Sequence, residues 1–444
     1  MIMKTLKSIL VLMLFLTAAI SIQAEEAPKT EEFEVNGLKV ILRSSVKGTV
    51  SARLFVQGGT ANYSKENEGI ENLVLNLVMS SGSESMTKTE FDAATEKVGA
   101  NLNASTSYDY SNMSLNCVKM YWDDSWNLFS AAITNPAFRQ NEFDILKQRL
   151  VTAAKQAATN PDTQLDRLSM SNTWGGTDYE KIPSGSPESL ESLTLEAAKK
   201  HYMDVVTRKN TFLVVVGDIS KADLMAKVEA SLANLPEGSE PNEIYVGEKV
   251  DEGVFVEDRE IETNYIQGVF SAPKKGTDES TYNSLAMSIL YDRFFEELRT
   301  KRSLSYAPAA YATGYMARPQ NEVYISTTDP KASLEVMVDE LNKVKTTGFE
   351  KKELDGKKQE YLTNYFMGQQ TNSSISMSLG ITEMTGGWEQ MDTFTDRVMS
   401  TNIDDINSVM SEHGDKIYWT YLGKEELVQP EYFKQPVKPE KMKK

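Results

Sequence analysis

Histidine and cysteine, the side chains most often used to hold a metal or carry a nucleophile, are scarce. The 444-residue chain has two histidines and one cysteine. His201 lies in Lys199-Lys200-His201-Tyr202 and His413 in Ser411-Glu412-His413-Gly414-Asp415. Neither has another His or a Cys at ligand spacing. Both are expected in solvated or helix-capping roles. A Ser-His-Asp hydrolase would have to recruit one of these two histidines. No Gly-x-Ser-x-Gly elbow and no Walker-type phosphate loop occurs. Cys117 sits in the alternating stretch Met113 to Val118 and reads as a small core residue of a half-buried strand. The residues therefore predict no metal site in this chain.

The chain is strongly acidic, with 47 Lys and Arg against 64 Asp and Glu and a formal net charge of −17. Such a charge repels phosphate backbones, so no nucleic-acid partner is expected. Residues 1–24 read as a secretory signal peptide: Lys4 and Lys7, an apolar stretch from Ser8 to Ile20, then Ala24 before Glu25 and Glu26. No other run reaches membrane-spanning length, so no stable membrane insertion is expected once that segment is removed. The reading is an exported protein, most naturally periplasmic and alternatively extracellular. With a lone cysteine, stability must come from the core.

The remaining length repeats itself. Phe138 to Gln148 matches Phe349 to Gln359 at five of eleven positions, 211 residues apart. Ser51-Ala-Arg-Leu-Phe-Val56 has an echo at Asn264 to Phe270. An apolar strand closed by glycine ends each half, at Thr211–Gly217 and Lys416–Gly423. Two homologous halves follow, 25–240 and 250–444, with a seam in the Pro-, Gly- and acid-rich stretch Leu235 to Asn242. In the first half, strands are expected at 40–43 and 52–57 and a hairpin over 103–110 and 111–118. Helices are expected at 69–79, 88–98, 123–133 and 140–158, the last stopped by Asn160-Pro161. The class is α+β: two homologous domains, each a mostly antiparallel sheet with helices on one face.

Six landmarks in this order carry a resemblance. They are Gly58-Gly59-Thr60, Gly69-Ile70, Gly99 to Ser107, Gly185-Ser-Pro-Glu-Ser-Leu190, Leu213-Val-Val-Val-Gly-Asp218 and Leu298-Arg-Thr-Lys-Arg-Ser-Leu-Ser-Tyr306. Over nearly the whole chain after the signal segment, this pattern resembles the pitrilysin, insulinase and mitochondrial-processing-peptidase family of inverted-zinc-motif metallopeptidases. Members of that family have a half-clamshell fold and carry His-x-x-Glu-His on the helix after Gly69-Ile70. Residues i and i+4 of a helix share a face, so two imidazoles can meet on one zinc ion while the Glu activates bound water. Here the three motif positions are Asn72, Leu75 and Asn76. Near the position of the family's third ligand stand Ala153 and Ala154, and no Glu occurs from Phe143 through Tyr179. All four zinc and base positions are lost together.

In two-chain members of the family, the subunit lacking zinc supplies an Arg and a Tyr seven residues apart. The resemblance places these on Arg299 and Tyr306. A guanidinium can hold a substrate carbonyl or carboxylate, and a phenol can donate to the developing oxyanion. Ser303 replaces a glycine of the family pattern. The strand carrying Asn103, Ala104, Ser105 and Thr106 resembles the family's edge strand, on which an extended peptide pairs. The resemblance thus implies a catalytically incomplete subunit that binds peptide substrate and pairs with a homologous zinc-bearing subunit. This chain itself would hold no cofactor, the zinc residing in the partner. The alternative is a non-enzymatic binding or scaffold protein of the cell envelope, with Arg299 and Tyr306 purely structural.

Overall fold

A computed structural model describes residues 29–241 and 249–434. The signal-like segment 1–24 and part of the expected seam lie outside the described residues. Among the described residues eleven strands form two sheets. The first holds β1 (Thr30–Val35), β2 (Leu38–Ser44), β3 (Thr49–Gln57), β4 (Asn101–Thr106), β5 (Tyr110–Val118) and β6 (Thr211–Gly217), in the order β1-β2-β6-β3-β5-β4. The second holds β7 (Gly253–Asp258), β8 (Asn264–Ser271), β9 (Ala309–Ala312), β10 (Gln320–Thr327) and β11 (Tyr418–Gly423), in the order β7-β11-β8-β10-β9. Apart from the extra strand β1, the two orders are superimposable. Each sheet has one parallel pair, β2 with β6 and β7 with β11, and is otherwise antiparallel. The repeated Phe138–Gln148 and Phe349–Gln359 segments lead into equivalent helices, Gln140–Thr159 and Lys351–Gly368.

Pattern and capping explain the local structure. Lys88–Val98 starts at Thr87, whose hydroxyl and Glu90 form a reciprocal capping box, and stops at Gly99 in the left-handed region (φ +60°). The hairpin strands are Asn101–Thr106 and Tyr110–Val118, so Tyr110 belongs to the second strand rather than the first. Asn160-Pro161 ends one helix, as expected, and also starts the next: Asn160 caps Thr163 N–H and Pro161 opens helix Pro161–Trp174.

The helical cover differs from the expectation. The central strands of each sheet are buried on both faces, because each half lends a helix to the other. Val40, Leu54, Val56 and Val215 pack on the first half's own helices. On the opposite face Ile41, Phe55, Phe212 and Val214 pack on helix Asn372–Gly386 of the second half. Gly380 allows this approach, since a Cβ there would lie 2.1 Å from the Phe55 ring. Reciprocally, helix Pro161–Trp174 of the first half places Met170 and Trp174 against Val269 of the second sheet. This explains why β3 and β6 are buried along nearly their whole length instead of alternating. The hairpin loop adds a polar latch between the halves. Asp109 accepts from Tyr179 Oη at 2.6 Å and from the backbone N–H groups of Met316 and Ala317 at 2.9 and 3.1 Å.

Candidate functional site

Helix Ile70–Ser81 begins at Gly69 in the left-handed region (φ +86°), where a Cβ would come within 2.6 Å of Gly185 Cα. Two of the glycines singled out in the sequence thus touch each other. Asn72 and Asn76 share one half-buried face of this helix, as their spacing requires. Asn76 Nδ2 donates to Asn72 Oδ1 at 3.0 Å and to Asn72 O at 2.8 Å. Leu75 is fully buried in the first core, and Ala154 of helix Gln140–Thr159 lies in the same cluster. These groups do not fit zinc: two neutral amides satisfy each other, and neither an isobutyl nor a methyl group can bind metal or take a proton. Among the described residues no three His, Cys, Asp or Glu side chains are grouped to hold a metal.

Next to Asn72 the structure shows a buried polar cluster that sequence reasoning missed. Glu71 is fully buried. Its carboxylate accepts from Asn62 Nδ2 at 3.0 Å, meets His201 Nε2 at 3.0 Å, and accepts from Ser111 Oγ. His201 is therefore not solvated: it is 8% exposed, with the Tyr63 ring edge-on 5.9 Å away. Burial, with the charges of Glu71 and Glu68, raises the Tyr63 pKa, so that hydroxyl stays protonated. Ser111 and His201 both bond the carboxylate rather than each other, so the cluster is not arranged as a nucleophile and its base. Its place is structural: one carboxylate ties the zinc-type helix to β5 and to helix Leu195–Val205. Residue separations of 40 and 130 hid it from any local pattern. His413 is also enclosed, its side chain 9% exposed at the end of helix Ile403–His413. Burial lowers its pKa, and it is not a freely solvated group.

β4 is the edge strand of the first sheet and packs beside helix Ile70–Ser81. Ala104 turns toward the core, while Asn103 and Ser105 are exposed. Ser105 Oγ accepts from Asn112 Nδ2 at 2.7 Å, and Thr106 Oγ1 reaches Pro183 O at 3.5 Å. Among the described residues no strand pairs with the outer edge of β4, so its backbone groups are available for an extended chain.

Arg299 and Tyr306 lie where helix Asp278–Phe294 widens into a π-helical turn, Phe295–Thr300. Such turns in longer helices frequently mark functional positions. Leu298, fully buried, anchors the turn. The chain leaves it through Ser303, which takes up the left-handed conformation (φ +52°) suited to the glycine of the resembling pattern. Backbone bonds Ser303 N to Arg299 O (3.1 Å) and Leu304 N to Leu298 O (2.8 Å) close it. The Arg299 guanidinium then lies between two rings, 4.7 Å from the centre of Phe295 and 4.2 Å from that of Tyr306. Tyr306 is 80% exposed. Lys301 and Arg302 are both ion-paired to Glu297, whereas Arg299 makes no ion pair among the described residues. No hydrogen bond among those residues joins Arg299 or Tyr306 to Asn72, Asn76 or β4, so the structure does not bring the expected site residues into one cluster.

Comparison with known proteins agrees with this architecture. The family described as Insulinase (Peptidase family M16) matches residues 39–183, and that described as Peptidase M16 inactive domain matches 192–361. An uncharacterized zinc protease of Rickettsia felis is 22% identical over 361 residues, covering 78% of this chain and 85% of its own. The non-peptidase homolog YmxG of Helicobacter pylori is 23% identical, covering 59% of this chain and 64% of its own. Among solved structures, a peptidase M16 inactive domain from Pseudomonas fluorescens superimposes with a TM-score of 0.80 at 18% identity, covering 89% of this chain and 98% of its own. The periplasmic protease PqqL from Escherichia coli gives a TM-score of 0.74 at 12% identity, covering 92% of this chain and 48% of its own.

Proposed function

From the premise that this chain belongs to the insulinase, or M16, family of peptidases, we propose that it is the non-zinc subunit of an exported two-subunit metallopeptidase. A homologous subunit would carry the zinc. This chain would line the shared chamber with Arg299 and Tyr306 and guide the peptide substrate along Asn103, Ala104, Ser105 and Thr106 of β4. One observation carries the reading. Arg299 is held in a defined pose by two aromatic rings, free of any carboxylate among the described residues, beside a tyrosine whose ring is exposed. Its neighbour Arg302, by contrast, is paired with Glu297. A guanidinium left unpaired in an acidic protein is ready for a carbonyl or carboxylate from elsewhere.

In this reading the chain's residues bind and orient. β4 adds the substrate as a further strand by main-chain bonds, without a sequence requirement. Arg299 holds a substrate oxygen in a forked contact. Tyr306 Oη donates to the oxygen that gains charge when the peptide carbonyl is attacked. Asn72, Leu75 and Asn76 take no part in chemistry. Export rests on the signal-like segment and on likeness to a periplasmic neighbour; among the described residues no helix is long and apolar enough to cross a membrane.

Co-expression with a zinc-bearing homologue from the same host, followed by a peptidase assay, tests the reading. Activity of the pair, absent from either chain alone, supports it. The second reading, a non-enzymatic envelope protein, is favoured by the simultaneous loss of every zinc and base position and by one relative's description as a non-peptidase homolog. It predicts an inactive pair, or no pair at all.

A further inference from the structure

Helices Asp278–Phe294, Lys351–Gly368, Asn372–Gly386 and Phe394–Ser400 enclose a cavity of about 280 Å³ in the second half. Its charged lining is all of one sign. Lys275 and Arg397 line it, and no Asp or Glu does so among the described residues. The chain as a whole carries a net charge of −17, so this lining runs against its composition.

Neither cation is neutralised. Lys275, in the loop before helix Asp278–Phe294, is partly buried and makes no ion pair or hydrogen bond among the described residues. Lysines withdrawn from solvent are ordinarily paired, because an uncompensated ammonium is costly to bury. Burial alone pushes the Lys275 pKa down to about 8, so the group still carries its charge at pH 7. Arg397 also lacks an ion pair among the described residues. Its Nη1 and Nη2 donate to Gln390, at 3.3 Å to Oε1 and 2.9 Å to the carbonyl oxygen. Nε is sealed from the surface, so one hydrogen on each Nη remains for a ligand. The acids of neighbouring segments are engaged elsewhere, Glu383 with Lys39 and Asp392 with Arg43.

The other polar groups are occupied. Ser280, Ser284, Thr382 and Thr385 line the cavity, but each hydroxyl donates to a backbone carbonyl within its own turn. The two cations are therefore the donors that an incoming group would meet. Beside them the wall is aromatic. The Tyr365 and Phe394 rings stack at 4.0 Å, and Tyr361 lies 6.0 Å from Phe394. Positive charge next to ring faces suits an anion carried on an apolar body, since a bare inorganic anion would leave the rings uncovered. The volume is near the lower end for ligand pockets, so the ligand must be small.

We propose that this cavity binds a small organic carboxylate, its head group held by the Lys275 ammonium in the field of Arg397 and its apolar body against Tyr361, Tyr365 and Phe394. The site lies within the second half, and it does not depend on pairing with a zinc-bearing subunit.

Calorimetric titration of the purified chain at pH 7 tests this with three probes: 3-phenylpropanoate, its uncharged isostere 3-phenylpropanamide, and the peptide acid N-acetyl-alanyl-phenylalanine. The carboxylates are expected to bind and the amide is not. A preference for phenylpropanoate identifies a free acid as the ligand, and a preference for the peptide acid identifies a peptide C-terminus. Lys275→Met keeps the aliphatic stem and removes a charge that burial disfavours, so the fold should survive, as checked by melting. It should weaken carboxylate binding by about tenfold or more, while Lys275→Arg keeps most of the affinity. Failure of both carboxylates to bind, equal binding of the amide, unchanged affinity in Lys275→Met, or an equal loss in Lys275→Arg would overturn the proposal.

Discussion

The Arg299 guanidinium carbon lies 4.2 Å from the centre of the Tyr306 ring, and this pairing depends on a strained turn between the two residues. Ser303 sits at φ +52°, which costs a residue with a Cβ about 1 kcal/mol. Ser303→Gly is therefore expected to raise stability by roughly 0.5–1 kcal/mol, read as a shift in urea midpoint with unchanged slope. A loss of stability would mean that the Ser303 side chain makes a contact worth more than the strain.

Glu71→Ala should be severely destabilising. It removes one buried acceptor and strands three partners, Asn62, Ser111 and His201. A loss of about 3 kcal/mol or more is expected in denaturant unfolding. Glu71→Gln should cost less, because the amide keeps an acceptor. If the two variants lose the same small amount, the cluster is not the tie between helix and sheet described above.

Gly380 and Gly356 offer a matched pair. Gly380→Ala drives a methyl into the Phe55 ring across the contact between the halves and should cost about 1–3 kcal/mol. Gly356 is inside helix Lys351–Gly368 with nothing within 4 Å of an added Cβ. Gly356→Ala should stabilise by up to about 1 kcal/mol. Opposite signs in thermal melts support the exchanged-helix packing; a tolerated Gly380→Ala speaks against it.

Asp166 makes stability depend on pH in a defined direction. Its carboxyl has a pKa of about 6 when folded, raised by burial, Glu322 and Asp162 against the Gln267 bond that lowers it. The folded state thus holds the proton more tightly than the unfolded chain. The charge costs stability above about pH 6, and that cost fades as pH falls from 6 toward 4. Asp166→Asn should therefore stabilise the protein at pH 8 and make little difference near pH 4. Because solvent reaches this side chain, the gain should be about 1 kcal/mol rather than the full value of the shift. An Asn variant no more stable than wild type at pH 8 would contradict this.

What sequence could reveal followed from range. Helix Lys88–Val98 was legible to the residue, because the Thr87-x-x-Glu90 box and Gly99 mark both ends locally. The shared face of Asn72 and Asn76 followed from i, i+4 spacing alone. Helix Pro161–Trp174 was hidden because Asn160-Pro161 reads equally as a stop and a start, and the helix faces the other half's sheet. The same exchange covered the central strands on the face expected to be exposed in each sheet. Glu71 and His201 meet across 130 residues, which no period detects. An acid in the first turn of an otherwise apolar helix was the one available signal. Arg299 and Tyr306 stood out only through the resemblance. The π-helical turn that stacks one on the other depends on Leu298 in the core and on Ser303 accepting a left-handed backbone.

The most direct test compares two assemblies of this chain with a zinc-bearing homologue, one wild type and one Tyr306→Phe, for subunit stoichiometry and peptide turnover. The account predicts equal assembly and a turnover lower by about 10²-fold in the variant, the usual cost of one lost oxyanion donor. Equal assembly with undiminished turnover would contradict the role assigned to Tyr306.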